Sequence, residues 1–125
     1  MTKDQFHSFI KLVRLMHNKQ QESYSARNNN ANLIAQAKAL ELKVAGKFKE
    51  FIDSDPQHYD WQSRFVKLVK EVRAQQAMYY ATRYDSVLIK CRAAESHLSE
   101  AIKWLESKHP QIFQPLATQA SLYDH

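Results

Sequence analysis

A chain of 125 residues with one Gly, three Pro and one Cys has too few turn residues for a sheet-rich or loop-rich fold and no cysteine pair for an internal disulfide, which points to one helix-rich domain in a reducing compartment. Its formal net charge of +5 favours acidic partners or nucleic acid without requiring either. No apolar run approaches the roughly 18 residues of a membrane span, and MTKDQFHSF at the start lacks the apolar core of a signal peptide, so the expectation is a cytoplasmic protein.

The first helix, α1, is predicted over about residues 4 to 27, with Asp4 as its cap. Phe9, Val13, Met16, Gln20, Tyr24 and Arg27 step by 4, 3, 4, 4 and 3 and share one helical face. Asn28, Asn29 and Asn30 form poor helix but tolerate left-handed geometry and cap well, which predicts a tight turn. The second helix, α2, uses Leu33, Ala37, Leu40, Val44, Phe48 and Phe51 in the same spacing. Gly46 interrupts its interior at a cost of about 1 kcal/mol relative to Ala, which a close helix contact would explain. Asp53, Ser54, Asp55 and Pro56 end it.

The third helix, α3, about 57 to 82, restates the first at an offset of 56. Phe9/Phe65, Lys11/Lys67, Leu12/Leu68, Val13/Val69, Gln20/Gln76, Tyr24/Tyr80 and Arg27/Arg83 are identical. Its turn, Arg83-Tyr84-Asp85-Ser86, is two residues shorter than the first, and Asp85 or Ser86 is placed to cap the next helix. That fourth helix, α4, uses Val87, Cys91, Ala94, Leu98, Ile102 and Leu105 and matches the second at an offset of 54, with Ala39/Ala93, Glu41/Glu95 and Lys49/Lys103 identical. His109-Pro110 stops it, and 110 to 125 is a tail with Ile112, Phe113, Leu116, Leu122 and Tyr123 expected to fold back over an end of the helices; the alternative is a partner-binding segment that exposes Phe113, Leu116 and Leu122 as an apolar patch.

The unit is thus written twice, about 4–54 and 57–108. Neither hairpin alone covers its apolar stripe, so residues 1–109 are expected to form an all-α, up-down-up-down four-helix bundle from two tandem helical hairpins. The alternative joins the helices of each hairpin into two continuous helices of about 50 residues in an antiparallel coiled coil; three asparagines in a row oppose it.

Leu68, Val69, Val72, Gln76, Tyr80, Thr82, Arg83, Leu88, Arg92 and Glu95, echoed at Leu12, Val13, Met16, Gln20, Tyr24, Arg27, Lys38 and Glu41, carry a resemblance. The pattern is similar to small α-helical hairpin proteins of gut-bacterial phages and mobile elements, which typically hold a single hairpin in a much shorter chain. The likeness spans about residues 9 to 105 in two copies and departs at Ala26, where the second copy has Thr82, and at the asparagine-rich turn. It implies a fold and a genomic setting, not an activity.

Chemistry is sparse. Gln20, Tyr24, Arg27 and Gln76, Tyr80, Arg83 fall on core stripes, where an unsatisfied polar group costs about 1 to 3 kcal/mol, so they are candidates for a polar network fixing helix register near the turns; a ligand pocket between the copies is the alternative. The six histidines include no i, i+4 pair, and His97 with Glu100 is a candidate pair one helical turn apart; solvated or capping roles are expected. Cys91 is expected to be an inert buried thiol. One glycine cannot make a phosphate loop. The expectation is therefore no enzyme, cofactor, metal or small-molecule substrate.

Lys11, Arg14, Lys67, Lys70 and Arg73 form matching basic faces on the first and third helices and are candidate nucleic-acid contacts, with Trp61, Tyr79 and Tyr84 able to stack on bases. In an up-down-up-down bundle those faces point apart, which weakens that reading. The expected function is a non-enzymatic helical module that binds a protein partner or self-associates. The alternative is a nucleic-acid-binding accessory protein.

Overall fold

The computed structural model describes residues 3–25, 30–52 and 61–113. Four helices run in order, α1 Lys3–Ser25, α2 Ala31–Ile52, α3 Trp61–Thr82 and α4 Asp85–Lys108, and a 3-10 turn at Pro110–Ile112 closes the series. The described residues contain no strand. The class is the expected one: an all-α, four-helix fold of two tandem hairpins, with α1 packed on α2 and α3 on α4.

Backbone chemistry at the turns excludes the two-helix alternative. Asn30 caps α2: its Oδ1 accepts the amides of Asn32 at 3.1 Å and Leu33 at 3.4 Å, satisfying donors that the first helical turn leaves open. Arg27, Asn28 and Asn29 lie outside the described residues. At the second turn Arg83 has φ of 58°, a left-handed conformation that costs a residue with a Cβ roughly 1–2 kcal/mol and cannot continue a right-handed helix. Its amide donates to Tyr79 O at 2.7 Å, closing the last turn of α3. The next helix is opened by the Tyr84 carbonyl, which accepts from Val87 at 3.1 Å and Leu88 at 3.0 Å. Asp85 and Ser86 therefore lie inside the first turn of α4 instead of capping it, because the left-handed arginine reverses the chain one residue early; Asp85 still favours the positive helix end.

The chain divides into two compact units, Met1–Ser54 with Leu105–His125, and Asp55–Trp104. In the first, Phe9, Ile10, Val13 and Met16 of α1 and Ala37 and Val44 of α2 are buried, and Phe9 meets Phe48 edge-on with ring centroids 5.6 Å apart. The last turn of α4 belongs to this unit through Arg14, whose guanidinium lies 3.3 Å from Glu106 and 4.1 Å from the centre of the Phe113 ring. Ile112 is buried, so the start of the tail does fold back; Leu116, Leu122 and Tyr123 lie outside the described residues. In the second unit Phe65, Val69 and Val72 of α3 and Val87, Cys91, Ala94, Leu98 and Ile102 of α4 are buried. Trp61 closes on Trp104 at 6.1 Å.

The close contact expected at Gly46 is not there. Gly46 is exposed, and a Cβ added to it meets nothing within 4 Å. Gly46→Ala should therefore raise stability by about 0.5–1 kcal/mol through helix propensity alone, read as an increase of a few degrees in Tm. A lower Tm would contradict the open environment.

Candidate functional site

The repeated glutamines are the buried polar centre of each hairpin. Gln20 and Gln76 are each 1 % exposed, and each reaches across to the glutamate that the repeat also duplicates. Gln20 Nε2 donates to Glu41 Oε2 at 2.9 Å, and Gln76 Nε2 donates to Glu95 Oε2 at 2.7 Å. The second copy is the more elaborate. Arg92 Nη1 donates to the other Glu95 oxygen at 2.7 Å, and Arg73 Nη1 donates to Gln76 Oε1. The result is a line of cation, amide, carboxylate and cation in which each bond polarises the next. Glu95 is 2 % exposed, and a buried carboxylate needs such partners. In the first copy the place of Arg73 is taken by His17, 4 % exposed, that of Arg92 by Lys38, and that of Cys91 by Ala37. His17 is thus a core residue, not a solvated one.

Three other members of the expected network, Tyr24, Tyr80 and Arg83, are elsewhere. Tyr24 is 39 % and Tyr80 49 % exposed, and Arg83 is exposed with its guanidinium 5.3 Å and 5.2 Å from the centres of the Tyr79 and Tyr80 rings. The helical spacing does aim these residues along the stripe, but they sit in the last turn, where the chain is already leaving for the next helix. The glutamates that do partner the glutamines were legible only as an aligned pair, Glu41/Glu95. The paired signal was that each glutamine and each glutamate recurs at its own repeat offset.

Of the five candidate nucleic-acid contacts, Arg14 and Arg73 are engaged within their own units, Lys11 is half-buried, and Lys67 and Lys70 are exposed on α3. His97 and Glu100 are both exposed. Among the described residues no group of three or more His, Cys, Asp or Glu is placed to hold a metal ion, and no helix is long and apolar enough to cross a membrane. An open cleft between the end of α1 and the start of α2 is lined by Asn18, Gln21, Glu22, Ser25 and Leu33, with no titratable pair across it. Cys91 is buried; burial first, and the Glu95 carboxylate second, push its thiol up.

Large apolar side chains do reach the surface. Leu42 of α2 is 75 % exposed, Tyr84 at the second turn 65 %, and Met78 at the end of α3 50 %. The outward surface of α2 is hard to see in the sequence, because its alanines and glycine pass for helix filler and a single leucine makes no stripe. No protein-family model matches the chain, and neither the curated proteins nor the solved structures contain a significant match to it.

Two outcomes are expected of the buried groups. Gln76→Met should cost about 2–3 kcal/mol, because it strips a donor from a carboxylate sealed from water, whereas Gln20→Met should cost nearer 1 kcal/mol, because half-buried Glu41 can take up water; urea unfolding of both variants checks the ordering, and equal losses would contradict it. Cys91 should alkylate far more slowly in the folded chain than after unfolding, since the thiolate is disfavoured in place; equal rates at pH 8 would place the thiol in solvent.

Proposed function

We propose that the chain is a non-enzymatic helical module that binds a protein partner or a second copy of itself, in the phage or mobile-element setting that the sequence resemblance implies. The observation that carries this reading is the cluster at the turn end of the second hairpin, where Met78, Tyr80, Arg83 and Tyr84 are all exposed. Tyr, Arg and Met are the residue types enriched where proteins meet, because they offer large contact area at small entropic cost. Arg83 is already held over Tyr79 and Tyr80, so part of its ordering cost is met before any partner arrives. Buried Gln76 and Glu95 stiffen the scaffold beneath. Tyr24 repeats the exposed tyrosine on the first hairpin.

Photocrosslinking residues placed singly at Tyr80, Tyr84 and, as control, exposed Ser96 test the reading in the cells that make the protein. Discrete protein adducts from the two tyrosine positions and none from Ser96 are expected. Absence of adducts at both would overturn it. The nucleic-acid reading, which rests on Lys67 and Lys70, predicts instead that the chain binds generic DNA or RNA at low salt and loses it steeply as salt rises.

A further inference from the structure

We propose that the outward face of α2 docks an acidic amphipathic helix of a partner protein. This rests on the reading of the chain as a protein-binding module but uses a different surface, in the other unit. The face is unusual for a solvated helix. Ala31, Ala35, Ala39, Leu42 and Gly46, spaced 4, 4, 3 and 4, lie along one side of α2, and all five are exposed. Opposite them the same helix buries Ala37 and Val44. A helix in a solvated position ordinarily alternates an apolar stripe with a polar one, whereas α2 carries apolar residues on both sides. Leu42 is the most exposed large apolar side chain among the described residues, and the alanines and Gly46 around it leave the backbone open to close approach, with nothing within 4 Å of a Cβ at 46.

Charge decides what fits there. Exposed Lys38 borders the stripe on one side and exposed Lys43 on the other. Between residues 31 and 47 the sole acid is Glu41, and it is turned inward to Gln20 at 2.9 Å. A second copy of α2 laid on the first would bring lysines to both flanks in either direction, and like charges across a helix pair destabilise it. A helix with an apolar stripe and Asp or Glu on its flanks would instead place an opposite charge beside each lysine, which fixes register and speeds encounter. The face from 31 to 46 is about 22 Å long at 1.5 Å per residue, enough for about four turns of partner helix.

The test uses the full chain and three fluorescent peptides of about 18 residues: an amphipathic helix with a leucine stripe flanked by Glu, the same stripe flanked by Lys, and the Glu peptide with its stripe scrambled. Fluorescence anisotropy should show binding of the first alone, weakening as salt rises. Leu42→Glu and Gly46→Leu should each weaken it at least tenfold, about 1.4 kcal/mol, with unchanged helical circular dichroism because both positions are open. Lys38→Glu with Lys43→Glu should transfer the preference to the Lys peptide. Failure of the Glu peptide to bind, equal binding of all three peptides, or indifference to Leu42→Glu overturns the proposal. So does a dimer in sedimentation that Leu42→Glu dissociates, which would assign the face to a second copy. Adducts at Tyr80 and Tyr84 together with any of these results would leave the module reading standing while this one falls.

Discussion

A hydrogen bond between two polar side chains inside each hairpin constrains the rest of the structure. Gln20 with Glu41 and Gln76 with Glu95 span from one helix to the next at a place where the neighbouring residues are apolar. A hydrophobic stripe can slide by a turn at modest cost, since one aliphatic contact replaces another. A buried amide bonded to a carboxylate on the facing helix cannot, because any slip breaks that bond and leaves the amide donor facing apolar neighbours. The pair therefore sets the register of each hairpin, and through it the residues that each turn presents.

The two copies meet that constraint with different auxiliary groups. In the second hairpin Arg73 and Arg92 flank the pair with permanent charge, so that Glu95 stays almost wholly enclosed and Cys91 lies beside it with its thiol held neutral. In the first, a histidine, a lysine and an alanine occupy the corresponding places, and Glu41 keeps a share of solvent. Retaining glutamine and glutamate in both copies while the surroundings differ separates the part that fixes geometry from the part that tunes it.

With register fixed from inside, the outer surfaces are free to differ. The second turn displays tyrosines around an arginine whose left-handed backbone turns the chain, and α2 displays a flat apolar strip bordered by lysine. Neither surface contributes to the buried core. Leu42 stands exposed there among alanines, outside the buried set of its own hairpin.

The sequence by itself determined the four helices, the breaks between them and the duplication, because these depend on local chemistry. A stripe of apolar residues at helical spacing, an asparagine able to cap, and a chain nearly without glycine and proline act within a few residues of themselves. It also placed Gln20 and Gln76 on the inner face. Only the tertiary structure decided which polar residues on that face are enclosed. Periodicity says which way a side chain points, but burial depends on whether atoms from another helix stand over it. Those atoms are present at Gln76 and absent one turn later at Tyr80. The same reason hid His17 in the core, joined each glutamine to a glutamate about 20 residues away, and left Leu42 and Gly46 exposed.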